Sequence, residues 1–289
     1  MRQAEVYIIL VNYNGYEDTK ACVNSLKKIN YDNFHIVIVE NASKDVQIMK
    51  TDLFLNENAT ILFSEKNDGF SSGNNIGIKY ALENNADYIL LLNNDTVVDC
   101  DFLKHLVELM ENNTKAGIVT GDIYYYKDQE RLWYSNGKYD RKNGTTQMCC
   151  KTAELSLKVS FACGCLMLLN VEMIKQIGML EDLFFLYSED TEYCCRAIDS
   201  GWDILWTKKC KIYHKISAST GENSDFQQYY LTRNNLILAK KYGNRPVVCY
   251  MKTLWRCIKD IIKKRCHIGP VRAAYVDFFR GVSGKTGRY

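Results

Sequence analysis

The chain has 289 residues, 47% of them hydrophobic and 25% charged, with 2 prolines and 17 glycines; this is the composition of one large folded domain or two small ones and excludes collagen-like, low-complexity and disordered material. The formal net charge of +3 conceals a division, because residues 240–289 carry 13 lysines and arginines against two acids, a local +11 that leaves −8 on the rest. No apolar run approaches the roughly 18 residues needed to span a bilayer, and no leader-like stretch opens the sequence.

From the N-terminus, Val6–Val11 predicts a buried strand, and Cys22, Val23, Leu26 and Ile29 fall at helical spacing within 18–29. Strands are predicted at His35–Val39, Thr60–Phe63, Tyr88–Leu92 and Gly117–Thr120, with helices over 73–84 and 101–110. Such βαβα alternation implies an α/β chain with a mostly parallel sheet wrapped by helices. Between Asp122 and Lys158, aromatic residues mix with turn signals at Asn136-Gly137 and Asn143-Gly144, predicting hairpins or an irregular insertion. Strand character returns at Val159–Ala162, Leu166–Leu169, Trp202–Trp206 and Cys210–Tyr213, and helices are predicted over 191–200, stopped by Gly201, and over 226–242. The 12 cysteines include the adjacent pairs Cys149-Cys150 and Cys194-Cys195 and no Cys-x-x-Cys, so reduced thiols of a cytosolic protein are expected.

Ligands of parallel α/β sheets collect beyond the carboxyl ends of the strands. There this chain places Asn12-Tyr13-Asn14-Gly15, Glu40-Asn41-Ala42-Ser43 and Asn93-Asn94-Asp95. None is the glycine-rich fingerprint of a dinucleotide site, which disfavours a Rossmann dehydrogenase. Each cluster alone is also ordinary turn and cap chemistry. A carboxylate and two amides ending a buried apolar run are costly unless satisfied, however, and their oxygens suit Mg²⁺ or Mn²⁺ on a diphosphate. Further on, Phe184–Tyr187 runs into Ser188-Glu189-Asp190-Thr191-Glu192. Acids favour helix N-termini, but a buried carboxyl beside other acids also gains the raised pKa of a general base. Adjacent Glu189 and Asp190 do not provide the facing carboxyl pair of a glycosidase.

Together with Asn67-Asp68-Gly69-Phe70, Gly73-Asn74-Asn75, the segment Gly178 to Phe185, and Arg196 before Gly201-Trp202, these motifs resemble the family 2 inverting glycosyltransferases of the GT-A fold. They are most similar to the rhamnosyltransferase-like enzymes of cell-surface polysaccharide assembly, over roughly residues 5–240. The resemblance implies an α/β GT-A fold, a mostly parallel Rossmann-like sheet flanked by helices. It divides the chain into a catalytic unit at 1–240, with a nucleotide half at 1–120 and an acceptor half at 121–240, and a basic helical tail at 241–289. By position, Asn12 and Asn14 would lie along the nucleotide, and Glu40, with Asn41 beside it, would hydrogen-bond the pyrimidine base. Asn67 and Asn74 would line the nucleotide and diphosphate. Asn93-Asn94-Asp95 stands where relatives often carry Asp-x-Asp, with Asn93 toward ribose or sugar and Asp95 as metal ligand. Asp190 would be the catalytic base, with Glu189 beside it; Gly164 would allow close approach to the donor sugar, and Arg233 would complete the diphosphate or acceptor side. Asn93 in place of an aspartate leaves one carboxylate where two are usual, and His214 would add an imidazole, favouring Mn²⁺ over Mg²⁺.

The implied reaction is single-sugar transfer from a dTDP- or UDP-sugar, with rhamnose the leading donor, to a lipid-linked surface glycan. A protein or soluble acceptor, or a GT-A-like non-catalytic binding or scaffold protein, are the alternatives. The Gln-x-x-Arg-Trp signature of processive synthases is absent. In the tail, Val247, Met251, Leu254, Trp255, Ile258, Ile261 and Ile262 form an apolar helical stripe, with Lys252, Arg256, Lys259, Lys263 and Lys264 expected on the opposite side. Such a helix suits an anionic membrane surface, placing the protein peripherally at the inner face of the cell membrane. A helix docked on the body and a homodimer interface are the competing accounts; nucleic acid is not expected, since no recognition module is present.

Overall fold

The apolar runs pair into a single large sheet in the computed structural model, which describes residues 2–44, 46–148, 154–216 and 224–288. The first half contributes β1 (Val6–Asn12), α1 (Tyr16–Leu26), β2 (Phe34–Glu40), α2 (Val46–Thr51), α3 (Leu53–Asn58), β3 (Thr60–Phe63), α4 (Gly69–Glu83), β4 (Tyr88–Leu92), β5 (Thr96–Val98) and α5 (Phe102–Glu111). There follow β6 (Ala116–Tyr125), β7 (Asp128–Tyr134), β8 (Gly137–Asp140), β9 (Thr145–Met148), β10 (Ser156–Val159), β11 (Leu166–Asn170), α6 (Val171–Ile177), α7 (Glu189–Asp199), β12 (Asp203–His214), α8 (Asp225–Tyr242), α9 (Pro246–Ile262) and α10 (Ile268–Phe279).

Strand order is β10-β12-β6-β11-β4-β1-β2-β3, with β5 on β12 and β7 on β6. The strands β3, β2, β1 and β4 are mutually parallel, as the βαβα pattern predicts. Strand β11 then runs antiparallel to both β4 and β6, so the sheet is mixed beyond β4. That reversal positions the site. Leu166 at the start of β11 pairs with Leu92 at the end of β4, so the turn before β11 opens on the same edge as the carboxyl ends of β1, β2 and β4.

Burial explains the elements. Residues Val6 to Leu10 of β1 are completely or nearly completely buried, as a central strand covered on both faces requires. Helix α5 buries Phe102, Leu103, Leu106, Val107 and Met110, a stripe at helical spacing. Three boundaries differ from expectation. Helix α4 starts at Gly69, a turn before Gly73. The strand expected at Val159–Ala162 ends at Val159; Phe161 forms an isolated antiparallel bridge with Gly137, its O accepts Tyr134 Oη at 2.9 Å, and Ala162 N donates to Cys194 Sγ at 3.3 Å. The two strands expected at Trp202–Trp206 and Cys210–Tyr213 are one, β12, with a register shift against β6 between Thr207 and Lys211. Asn143-Gly144 forms the turn of the β8–β9 hairpin, where Gly144 has φ 64°; Cys149-Cys150 lies outside the described residues. The ten cysteines among the described residues are free thiols.

Helix α9 docks on the body through Cys249, Thr253 and Cys257. Its apolar stripe points outward: Val247, Met251, Trp255 and Ile262 are 67%, 66%, 59% and 75% exposed. Ile261 departs from that stripe and packs with Cys257, Cys266 and Val271. The basic residues are not opposite the stripe, since that side is the docked one. At about 100° per residue Lys252, Arg256 and Lys259 instead form an edge beside it, all exposed. Among the described residues no helix is long and apolar enough to cross a membrane.

Candidate active site

The polar groups that end β1, β2 and β4 satisfy one another. Asn12 Nδ2 donates to Glu40 Oε2 and to Ser43 Oγ at 3.2 Å. Its Oδ1 accepts from Thr19 Oγ1 at 2.9 Å, Gly15 N at 3.2 Å and Asn94 Nδ2 at 3.3 Å. Glu40 Oε1 accepts the Ser43 amide at 2.6 Å, and both Asn12 and Glu40 are buried. This network meets the cost of polar groups at a buried strand end and fixes the loop after each strand. Asn14, at φ 55°, extends the lattice by accepting from Lys44 N at 2.9 Å. On the other flank Asn41 Nδ2 donates to Asn67 Oδ1 at 3.1 Å, which also accepts Gly69 N at 2.9 Å. Asn74 is buried on α4, its amide turned back to Phe70 O at 2.9 Å.

Gly69 joins the two halves. Its φ is +96°, and a Cβ there would lie 1.9 Å from Phe185 O. Only glycine permits this approach, which lets Phe70 N donate to Phe185 O at 3.0 Å. Asn75, present in a sequence motif without a role of its own, adds a reciprocal clamp to Leu180: its Nδ2 donates to Leu180 O at 2.8 Å and its Oδ1 accepts Leu180 N at 3.1 Å.

Asp95 follows Asn94 and faces His214 from the end of β12, with Oδ1 and Nε2 3.0 Å apart and both side chains largely buried. The imidazole stacks edge-on against Trp133, ring centroids 4.6 Å apart. His214 Nδ1 is buried without a hydrogen-bond partner among the described residues. A carboxylate oxygen and an imidazole nitrogen 3.0 Å apart have the spacing of neighbouring ligands at about 2.0–2.2 Å bonds on one divalent cation. The pair therefore fits a Mn²⁺-type ion whose remaining ligands come from elsewhere.

Asp190 reaches the same edge through the turn before β11. Gly164 N donates to Asp190 Oδ2 at 3.1 Å, and Asn93 N donates to Cys165 O at 3.0 Å. Two hydrogen bonds and one intervening turn thus connect the Asn93-Asn94-Asp95 segment to the carboxylate expected to be the base. Gly164 also lies against Phe70 and the Asp190 Cβ, 3.3 and 3.5 Å from where its own Cβ would be. Asp190 Oδ1 accepts Thr191 N at 2.6 Å and Thr191 Oγ1 at 3.2 Å. Burial raises the Asp190 carboxyl above its ordinary range, against the pull of those donors. Burial, and then the Asp190 charge, pushes Glu189 further, to about 8. Glu189 is the more enclosed of the two, and its Oε2 has no partner among the described residues.

Arg233, expected at the diphosphate or acceptor side, has its guanidinium engaged within the protein. It is completely buried, donating to Gly284 O at 2.7 Å and to Asn234 Oδ1, with its guanidinium over the rings of Tyr229 and Tyr230. Lys285 was not legible as a site residue, yet its Nζ donates to Asn67 O at 2.7 Å. No periodicity or motif marks a contact that joins positions 218 apart.

The model for glycosyl transferase family 2 matches residues 7–178. The chain is similar to the dTDP-rhamnosyl transferase RfbF of Shigella flexneri, 24% identical over 248 residues that cover 82% of this chain and 81% of that protein. It is also similar to the low-salt glycan biosynthesis hexosyltransferase Agl10 of Haloferax volcanii, 24% identical with 98% and 93% of the two chains covered. Among solved structures, the mannosyltransferase PcManGT from Pyrobaculum calidifontis, in complex with GDP-Man and Mn²⁺, superposes with a TM-score of 0.62 at 12% identity, over 96% of this chain and 74% of that one, a likeness of fold.

Proposed function

We propose, from the premise that this chain belongs to glycosyl transferase family 2, that it adds single sugars from a dTDP- or UDP-linked donor to a lipid-linked surface glycan at a membrane face. The coarse activity follows from membership: the protein is an inverting glycosyltransferase that takes its sugar from a nucleotide sugar. The finer reading is supported by the similarity to a dTDP-rhamnosyl transferase, which makes dTDP-rhamnose the leading donor. The observation that supports sugar transfer at this edge is the link from Asn93 N to Cys165 O and from Gly164 N to Asp190 Oδ2.

Inverting transfer needs a base to take the acceptor hydroxyl proton as its oxygen attacks the anomeric carbon, and charge compensation at the departing diphosphate. Asp190 is the base. Its two oxygens are oriented by the Gly164 and Thr191 donors, and it is less enclosed than Glu189. Burial and the Asp190 charge favour the protonated form of Glu189, which lessens the negative charge opposing ionisation of Asp190. A positioned base of this kind contributes about 10²- to 10⁴-fold. Asp95 and His214 would hold a divalent cation, which when bound offsets the charge on the diphosphate. Asn67 and Asn41 hold the loop leading into α4, and Asn94 Nδ2 braces the loop after β1 by donating to Thr19 Oγ1 at 2.8 Å and Asn12 Oδ1 at 3.3 Å.

The lipid-linked acceptor is supported by the outward apolar face of α9 with its basic edge, the surface of a helix lying in an anionic bilayer interface. A panel of UDP- and dTDP-sugars with Mn²⁺ should reveal one donor from which the protein releases nucleotide diphosphate. Asp190→Asn should lower that turnover at least about a hundredfold while calorimetric affinity for the nucleotide stays within about threefold. Undiminished turnover in Asp190→Asn, or no release from any donor, overturns this reading.

A further inference from the structure

We infer that Asn234, locked in place by Arg233, is a positioning residue for the Asp190 base, acting through the turn from which that base projects. This rests on the assignment of Asp190 above. Tyr187 and Ser188 precede Glu189 and Asp190, and both lie in the left-handed region, at φ 70° and 76°. Two successive non-glycine residues there are strained and persist only where the surroundings impose them.

Asn234 does the imposing. Its Nδ2 donates to Leu186 O at 2.9 Å and Tyr187 O at 2.8 Å, so both amide hydrogens are spent on the two carbonyls leading into the turn. Its Oδ1 accepts Arg233 Nε at 3.2 Å and Nη2 at 3.1 Å. The amide cannot be reversed, because the guanidinium only donates and the carbonyls only accept. Both side chains are completely buried. The Arg233 fork is anchored in turn by Gly284 O at 2.7 Å and Tyr229 Oη at 3.4 Å.

The brace is not one isolated contact. Farther along the same two helices, Glu192 of α7 is fully buried and accepts Tyr242 Oη at 2.6 Å, Lys241 Nζ at 2.9 Å and Arg196 Nη2 at 2.9 Å. Helix α8 therefore holds α7 along its flank and, through Asn234, holds the turn that launches it. With Asp190 one turn of chain away, loosening these carbonyls shifts the base, and displacements of about 1 Å cost about a hundredfold in rate.

Asn234→Asp tests this directly, because the carboxylate still pairs with Arg233 but turns oxygens toward the Leu186 and Tyr187 carbonyls. With the donor found in the panel, kcat should fall at least about tenfold with KM for that donor within about twofold. Amide hydrogen exchange over 187–191 should accelerate at least about tenfold while β1 and α4 stay unchanged. Arg233→Lys, which keeps the charge and loses the fork, should move both readouts the same way by a smaller factor, and it stands in should Asn234→Asp fail to fold. Wild-type kcat with unchanged exchange, a rise in KM alone, or acceleration spread over the whole chain overturns the assignment. A wild-type protein that releases no nucleotide overturns the enzymatic reading alone, and the exchange rates then decide this one.

Discussion

Neighbouring carboxyls in one turn have been given different surroundings. Asp190 meets three donors, whereas Glu189 is enclosed beside it with one oxygen unpartnered among the described residues. Because the folded state raises Glu189 from its ordinary 4.5 to about 8, it binds a proton that the unfolded chain releases within that interval. Stability should therefore decline as pH rises from 4.5 through about 8, then level off. Glu189→Gln does not titrate, so its advantage over wild type should grow across the same window. By differential scanning calorimetry the gain in Tm at pH 9 should exceed that at pH 5 by at least about 3 °C; a pH-independent difference would contradict the burial argument. The sequence pointed to these two residues through acids placed after an aromatic run. It did not show that Asn12 and Glu40 are partners of each other, or that Arg233 turns inward, since those facts depend on which neighbours tertiary packing supplies.

At the level of elements, long periodic segments were readable and short ones were not. Strands β1, β2 and β4 and helix α5 follow from apolar runs and helical spacing. Helices α2 and α3, six residues each, and the three-residue β5 carry too few periods to register against their polar context. The antiparallel insertion of β11 was equally hidden, because an apolar run gives no direction. The start of α4 turns on Gly69, whose backbone abuts that of Phe185. Gly69→Ala should destabilise the fold by about 2–4 kcal/mol in urea titration, from the positive φ and the collision together. It should also weaken nucleotide binding, since the Asn67 loop feeds directly into this contact. A loss under about 1 kcal/mol would mean that the two halves adjust freely around this junction.

Across the whole molecule, charge and apolar exposure coincide on α9, with Trp255 next to Lys259, whose Nζ lies 5.3 Å from its ring centroid. The protein should float with phosphatidylglycerol-containing vesicles at low salt and release as salt rises, each basic group near the surface adding about 1 kcal/mol. Replacing Trp255 and Ile262 together by Gln should reduce the bound fraction at least about tenfold; equal flotation on purely zwitterionic vesicles would refute an electrostatic contribution. The basic tail was visible as composition, but its orientation was not, because periodicity alone cannot say which side of a helix the body claims. The last turn of the tail has a different consequence. Gly284 closes the Arg233 cluster and Lys285 reaches Asn67, a residue made more than two hundred positions earlier. Both anchors sit within two adjacent residues after α10, so cutting the chain between α10 and Gly284 should release the Arg233 fork and the Asn67 loop in one event.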